Sequence, residues 1–185
     1  MKYRLLQFNN NTEMPRRFLA SFHGSHAETP GRVGAEYARF NSTLRTRLLN
    51  VMDKWKHDTF ILSYGGVTAD YAYIMGNSEF CLAPKGSTSY TARLYESLFA
   101  GCVPVLLSDD YIFPFADQIP WDDMVIRIAE ENIENVFEIL ANELKHNLSS
   151  LVHRREKIAE HRCKVDWMQI GLVHCSAFNS VLQAI

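Results

Sequence analysis

One continuous stretch decides the fold: residues 78–111 read SEFCLAPKGSTSYTARLYESLFAGCVPVLLSDDY. It holds two short apolar runs, Phe80–Leu82 and Val103–Leu107, and the segment between them is a polar loop followed by a helical pattern. Gly101 breaks that helix, and an Asp-Asp-Tyr turn follows the second run. The stretch therefore predicts a strand, a loop, a helix and a second strand.

The same alternation continues on both sides of this unit. Strands are predicted at 18–22, 59–63 and 124–128, and helices at 37–56, 70–75, 130–144, 150–163 and 166–185. Gly76 is expected to cap the second helix in the left-handed conformation, which glycine adopts without steric cost. Alternating strands and helices imply a Rossmann-like α/β fold, with a parallel sheet flanked by helices on both faces.

Length and composition fit one folded domain. The chain has 185 residues, of which 47% are hydrophobic and 22% are charged, as in ordinary globular proteins. Residues 1–16 are polar and are assigned as a lead-in segment, and 17–185 as the domain. The net charge of -2 offers no general attraction for nucleic acid. No apolar run is long enough to span a bilayer, so the sequence shows no membrane anchor.

The cysteines lack the spacing of a zinc site. Cys81 and Cys102 fall in or beside predicted buried strands and are expected to pack there as thiols, while Cys163 and Cys175 lie nearer the end of the chain. The N-glycosylation pattern occurs at Asn10, Asn41 and Asn147, which permits a secretory compartment.

Four of the predicted strands end in small or polar residues. The exits are HGS at 23–25, SYGG at 63–66, PKGS at 84–87 and SDD at 108–110. Ligands of parallel α/β sheets bind at the carboxyl ends of the strands, so this composition is typical of a binding cleft. Plain turns use the same residues, and composition alone allows them equally.

The residues that follow the third strand are suited to bind phosphate. Gly86 lets the backbone approach an anion, and Ser87, Thr88 or Ser89 is the expected N-cap of the next helix, whose free amides attract phosphate. The loop matches neither the Walker motif nor G-x-G-x-x-G. A dinucleotide oxidoreductase is a further hypothesis, and the absence of G-x-G-x-x-G weakens it.

Arg93 and Glu96 lie three residues apart on that helix. The guanidinium of Arg93 could grip a diphosphate and the carboxylate of Glu96 could accept ribose hydroxyls. A surface ion pair worth about 0.2 to 0.5 kcal/mol is the alternative. Asp109-Asp110 is interpreted as a turn and no metal site is predicted. The basic residues of the first helix, Arg45, Arg47 and Lys54, are interpreted as solvated.

The order of these blocks resembles the exostosin family of inverting glycosyltransferases, which have the two-domain GT-B architecture. The matching text is SEFCLAPKG at 78–86, RLYESL at 93–98, GCVPV at 101–105, FPF at 113–115 and Trp121, preceded by RFLASFHG at 17–24. The resemblance covers about residues 16 to 145. Thr91 keeps the hydroxyl of a serine found in many relatives, while Pro120 departs from the family pattern.

The resemblance implies the C-terminal, donor-binding half of such an enzyme. The substrate would be a nucleotide-diphosphate sugar, usually a UDP-sugar, with inverting transfer to a glycan or polysaccharide and no separate cofactor. The donor-binding candidates are Gly24, Lys85, Gly86, Ser87, Thr88, Ser89, Thr91, Arg93 and Glu96. Arg93→Ala is expected to weaken UDP binding by at least ~1.5 kcal/mol with little loss of fold.

The resemblance also leaves roles unfilled. The general base of these enzymes usually comes from their N-terminal half. Only about sixteen residues precede the first predicted strand here, too few for such a half. No catalytic residue is therefore assigned, although His23 and His26 could face the cleft. The chain is expected to show little activity without the other half, and a noncatalytic or truncated nucleotide-sugar or glycan-binding module is the alternative. The family location is the Golgi lumen or membrane.

Overall fold

The computed structural model describes residues 16–24, 43–54, 60–64, 70–86, 88–167 and 175–184. The strands of this part are β1 (Phe18–Gly24), β2 (Phe60–Tyr64), β3 (Ser78–Pro84), β4 (Val103–Leu107) and β5 (Ile126–Arg127). Its α-helices are α1 (Thr43–Lys54), α2 (Tyr71–Gly76), α3 (Ala92–Ala100), α4 (Trp121–Met124), α5 (Val136–His146), α6 (Leu148–His161) and α7 (Ala177–Gln183). Short 3-10 helices cover Glu130–Asn135 and Arg162–Val165.

The strands form one parallel sheet in the order β2-β1-β3-β4-β5. This arrangement confirms the predicted Rossmann-like α/β fold. The chain moves outward from β1 to β2, then crosses to β3 on the other side of β1 and continues in that direction. In this strand order the reversal lies between β1 and β3, where α/β sheets bind their ligands.

Successive side chains of β3 point to opposite faces of the sheet, and each face is covered. Phe80 and Leu82 pack in a cluster with residues of α1 and α5. Ala83, on the other face, packs with Leu94 and Leu98 of α3. Every residue of β3 is buried, as expected for a central strand covered on both sides. The site-bearing helix α3 is therefore fixed to the sheet by its apolar stripe.

Gly101 and Gly76 differ in conformation. Gly101 follows α3 with φ 68°, in the left-handed region, and it ends the helix as predicted. The prediction for Gly76 is wrong, because Gly76 lies inside α2 and the cap is Asn77 with φ -107°. Asn77 satisfies the end of the helix by donating its side-chain amide to the Tyr73 carbonyl at 2.8 Å, so no left-handed residue is needed.

Some elements after β4 differ from their predicted form. Met124 belongs to α4, and β5 is limited to Ile126–Arg127. The segment predicted as a helix from Glu130 begins as a 3-10 helix and becomes α-helical at Val136. Of the predicted C-terminal helix, the described residues contain Ala177–Gln183 as α7. Within the described part of the chain, no helix has the length and apolarity needed to span a bilayer.

The prediction that Cys81 and Cys102 are packed thiols is wrong. Cys81 in β3 and Cys102, just before β4, form a disulfide, and Cys163 forms a second one with Cys175. Cys81 and Cys102 are also buried, at 2% and 0% exposure, so burial alone could not distinguish a pair of thiols from a cystine. Bridges of this kind persist in oxidising compartments.

The disulfides are open to a direct chemical check. We expect that alkylation of the denatured, unreduced protein labels none of the four cysteines, and that reduction exposes all of them to the reagent. Mass spectrometry of the unreduced digest should show the Cys81 peptide joined to the Cys102 peptide. A thiol labelled at Cys81 without reduction would contradict the pairing.

A buried ion pair lies at the amino-terminal edge of the sheet. The carboxylate of Glu79 in β3 accepts a bond from the guanidinium of Arg155 in α6, and their side chains are 1% and 4% exposed. The backbone amide of Arg16 donates to the same carboxylate, and the Arg16 side chain donates to the Ser78 carbonyl at 3.1 Å. The pair ties α6 and the start of β1 to β3.

Candidate functional site

The carboxyl ends of β1 and β3 separate from each other. The pairing of the two strands runs from Phe18–Ser78 to Ser21–Cys81, whereas β1 stays paired with β2 up to Gly24. β3 likewise stays paired with β4 up to Pro84. The sheet therefore parts between its two central strands, at the position where the strand order reverses.

Arg93 and Glu96 of α3 lie beside this opening and are joined in one network with Tyr71 of α2. Arg93 Nη1 donates to Glu96 and, at 2.6 Å, to the Tyr71 hydroxyl, which itself donates to Glu96 Oε2. Burial raises the pKa of Tyr71, so its hydroxyl keeps the proton that it donates. Arg93 and Glu96 therefore belong to a largely buried network and do not form a surface ion pair; Glu96 is only 6% exposed.

Arg93 also joins α3 to the end of β1. Its Nε donates to the backbone carbonyl of His23 at 2.5 Å, and its guanidinium lies 5.1 Å from the ring centre of Tyr71. These contacts alter the expectation that Arg93→Ala leaves the fold almost unchanged. Truncation would remove bonds to β1 and α2 as well as to Glu96.

His23 lies at the centre of the opening and is 2% exposed. Its ring packs edge-on against Tyr71 at 4.7 Å between centroids, and within the described residues neither ring nitrogen has a hydrogen-bond partner. Burial, helped by the positive charge of Arg93, lowers its pKa to about 4. The lowered pKa makes the imidazole a weak base and its nitrogens are buried, which argues against His23 as the general base. His26 lies outside the described residues.

Acid is expected to destabilise the fold through His23. Its pKa of about 4 lies below the ordinary value of 6.5, so between these pH values the unfolded chain binds a proton that the folded chain does not. The contribution of His23 to the free energy of unfolding is complete above pH 6.5 and is lost as the pH falls towards 4. Urea unfolding of the wild type and of His23→Gln at about pH 7 and about pH 4.5 measures the difference.

His161 serves as an internal control for that comparison. Burial lowers the pKa of His161 too, and this residue is present in both proteins, so the difference between them reports His23. Equal loss of stability in the wild type and in His23→Gln would contradict the assignment.

The loop from β3 to α3 differs from its predicted form. The N-cap of α3 is Thr91, whose side chain makes no capping bond, so the expected capping by Thr88 or Ser89 is wrong. The chain instead stays non-helical up to Thr91, with the amide of Gly86 bonded to the Thr88 carbonyl at 3.1 Å. Ser87 lies outside the described residues.

The remaining loop residues face different partners. The Thr88 hydroxyl donates to the Tyr90 carbonyl at 3.4 Å, and the Ser89 carbonyl accepts from the Ser108 hydroxyl at 3.4 Å. Thr91 is 4% exposed. The structure thus brings Gly24, Gly86, Arg93 and Glu96 to the two strand ends, whereas the hydroxyls of Thr88 and Thr91 are engaged locally or covered.

Lys85 is drawn towards the β4 side of the loop. Its ammonium pairs with Glu130 at 2.5 Å. The backbone amide of Glu130 in turn donates to Asp109 Oδ1 at 3.1 Å, and the Asp109 amide donates back to Glu130 Oε1 at the same distance. Asp109 and Asp110 form a turn, as predicted. Among the described residues, no group of acidic, His or Cys side chains has the arrangement of a metal site.

Arg45 of α1 belongs to the site, and its interpretation as a solvated side chain is wrong. Its Nε donates to the Lys85 carbonyl at 3.1 Å and its Nη2 to the Pro84 carbonyl at 3.3 Å. Arg47, by contrast, forms an exposed pair with Glu134 at 2.6 Å. One signal was available in the sequence: Arg45 directly follows Leu44, at the border of the apolar stripe of α1.

The aromatic residues after β4 form an ordered loop. Phe113 stacks on Trp121 at 4.7 Å with the rings nearly parallel, and the indole Nε1 donates to the Pro114 carbonyl at 2.7 Å. Tyr111 and Trp121 are buried, at 6% and 3% exposure. Rings this well covered support the loop and leave little face for stacking on a sugar.

Comparison with known proteins gives a consistent picture. The family model described as the Exostosin GT47 domain matches residues 6–142. The chain is 31% identical over 131 residues to "Probable glucuronosyltransferase Os01g0926600" of Oryza sativa subsp. japonica, covering 70% of this chain and 30% of that protein. It is 30% identical over 114 residues to "Probable glycosyltransferase At3g07620" of Arabidopsis thaliana, covering 60% of this chain and 24% of that protein.

An animal protein is also similar. The chain is 35% identical over 82 residues to "Exostosin-1 homolog" of Caenorhabditis elegans, covering 44% of this chain and 22% of that protein. The chain thus spans less than a third of the length of each of these relatives. The family model covers all five strands of the sheet, including the opening between β1 and β3. The chain belongs to the exostosin GT47 family.

Proposed function

We propose that this chain binds the nucleotide-diphosphate sugar of a glycosyltransferase at the parted ends of β1 and β3. One observation carries the proposal: Glu96, a buried carboxylate on α3, is held by Arg93 and Tyr71 beside the opening. A buried carboxylate with oriented donors on one oxygen is suited to accept hydroxyl groups with the other. Ribose hydroxyls are the ligand that the family resemblance implies for this position.

The roles of the two charged residues follow from their contacts. Arg93 fixes the carboxylate of Glu96 and the end of β1, so in this proposal it acts first by orienting the ribose-binding group. The diphosphate lies nearer the start of α3, where the Thr91 side chain leaves the first-turn amides uncapped. Gly24 and Gly86, at the two strand ends, let the backbone approach it.

The proposed reaction is an inverting transfer. A hydroxyl oxygen of a glycan acceptor attacks the anomeric carbon on the face opposite the diphosphate, a base takes its proton, and the bond to the diphosphate oxygen breaks. In this proposal the described residues assist departure of the leaving group. Amides and cations near the start of α3 stabilise the charge that develops on the departing diphosphate. No described residue is assigned as the base.

Calorimetry with nucleotides tests the proposal. The folded chain should bind UDP and UDP-sugars and should not bind NAD. Since two of the relatives are named as a glucuronosyltransferase and a glycosyltransferase, UDP-glucuronic acid and UDP-glucose are the first donors to compare. A folded sample that does not bind UDP would contradict the assignment of the site.

A transfer assay separates an enzyme from a binding module. Release of UDP from a bound UDP-sugar, measured with and without a polysaccharide acceptor, is expected only when an acceptor and a base are both present. Tight donor binding without any release in the presence of acceptors would favour the noncatalytic module.

We further propose that the protein works in the lumen of the secretory pathway, in the Golgi as the family resemblance implies. Two disulfides among the described residues fit an oxidising compartment. The glycosylation pattern at Asn147 lies at an exposed junction between α5 and α6, and Leu148 beside it is 48% exposed. An attached glycan would therefore meet solvent and not the core.

Secretory expression gives this location a measurable consequence. We expect the Asn147 peptide from cells that export the protein to carry an N-linked glycan that peptide N-glycosidase removes. Ser149→Ala should abolish the modification and Ser149→Thr should keep it, because the acceptor pattern requires a hydroxyl residue there. An unmodified Asn147 in all exported protein would count against the prediction.

A further inference from the structure

A side chain from a distant helix lies at the opening that the parted strands leave. Pairing of β1 with β3 ends at Ser21–Cys81, so the segments that follow are not joined by the sheet ladder. Arg45 of α1 donates two bonds to the backbone of the β3 exit, one to the Pro84 carbonyl and one to the Lys85 carbonyl.

The same guanidinium also lies against the end of β1. It is 5.8 Å from the ring centre of Phe22, within the range of a cation–π contact. A Cβ atom at Gly24 would be 3.6 Å from Arg45 Nη1, so the group reaches the last residue of β1. Arg45 thus contacts both strand ends between which the donor site is proposed.

The glycine at the β3 exit fits closely around this arginine. A Cβ atom at Gly86 would lie 3.0 Å from Arg45 Nη2, tighter than ordinary van der Waals contact. A side chain at Gly86 would therefore crowd Arg45, which would have to shift by a few tenths of an ångström. Gly86 thus leaves room for this arginine as well as for a phosphate.

We propose that Arg45 is a positioning residue for the diphosphate of the donor. It fixes the Pro84–Gly86 turn relative to β1 and so sets the shape of the loop that faces the phosphates. This inference rests on the proposed function, because it assigns a role within the same site. It adds α1 to the elements that determine donor binding, beside α3 and the strand exits.

The chain offers a matched control two residues away. Arg47 lies on the same helix but pairs with Glu134 on the surface, where its side chain is 39% exposed. We expect Arg45→Ala to weaken UDP binding about tenfold, the scale of lost hydrogen bonds from a charged group. Arg47→Ala should leave the affinity for UDP unchanged.

A comparison of nucleotides distinguishes positioning of the phosphate loop from a general loss of structure. Arg45→Ala should weaken UDP much more than UMP, since the loop faces the diphosphate, whereas a merely structural defect would weaken both alike. Arg45→Lys should restore little, because a single ammonium cannot reproduce two bonds from a planar fork. Circular dichroism checks that each variant is folded.

Gly86→Ala keeps the inference testable if Arg45→Ala folds poorly, because it retains the arginine and crowds Nη2. This variant alone should weaken UDP binding more than UMP binding, and wild-type affinities for both would contradict the positioning role. Where Arg45→Ala folds, the same glycine change in that background should cost less. Additive effects, or an unchanged UDP-to-UMP preference in Arg45→Ala, would overturn the positioning role while leaving the UDP site in place. Failure of the wild type to bind UDP would instead overturn the proposed function and this inference together.

Discussion

Replacing Glu79 with alanine is expected to lower the free energy of unfolding by about 3 to 5 kcal/mol, the usual effect of removing one partner of a buried ion pair. Glu79 and Arg155 are almost fully covered, at 1% and 4% side-chain exposure, and Arg16 donates to the same carboxylate. The alanine variant would leave the guanidinium of Arg155 buried without its counter-charge. Urea unfolding at neutral pH measures the loss.

The exposed pair between Lys157 and Glu160 on the same helix is the control for this effect. It is separated by 2.8 Å, but the side chain of Glu160 is 56% exposed. Glu160→Ala should produce no measurable change in the unfolding midpoint, since solvent screens such pairs. A Glu79→Ala variant as stable as Glu160→Ala would show that the buried pair contributes nothing net to the fold.

Arg93→Ala is expected to affect binding and stability together. Loss of the oriented carboxylate should weaken UDP binding by at least about 1.5 kcal/mol, the scale of a hydrogen bond to a charged group. Because the variant also removes the bond to the His23 carbonyl and leaves Glu96 covered without its cation, the free energy of unfolding should fall by about 3 kcal/mol. Calorimetry and urea unfolding give the two values.

Tyr71→Phe separates these contributions. The phenyl ring would still pack against His23 and under Arg93, so the variant loses only the hydroxyl, which donates to Glu96 and accepts from Arg93. We expect a stability loss of about 1 kcal/mol and a small loss of UDP affinity. Wild-type stability in Arg93→Ala would show that the pair behaves as an ordinary surface ion pair, and unchanged UDP affinity would place the ribose elsewhere.

The local pattern of the sequence was sufficient for the order of strands and helices and for the end of α3. Runs such as Val103–Leu107 are apolar at every position, as buried parallel strands require, and Gly101 marks the helix end by its own conformational freedom. These features depend on neighbouring residues, so they can be inferred from a short window. The position of Glu96 on the helix follows from the same local rule.

Long-range contacts account for what the sequence did not reveal. Arg45 meets carbonyls forty residues away, and its helical position shows only that it borders the apolar stripe. The disulfide between Cys81 and Cys102 depends on the adjacency of β3 and β4. Predicted burial did not indicate it, because buried cysteines can equally be thiols. The start of α3 was misplaced because three Ser or Thr residues, at 87–89, precede the actual N-cap Thr91, and any of the four has the hydroxyl of an N-cap.

The crossing of the chain from β2 over to β3 has a consequence for how this site comes into being. Arg93 and the His23 carbonyl are 70 residues apart in sequence, and they belong to a helix that follows β3 and to the central strand β1. Contacts that close such long loops form slowly, so the binding site should be a late product of folding. A nucleotide that binds only the completed sheet would then slow the unfolding of the chain without accelerating its early collapse.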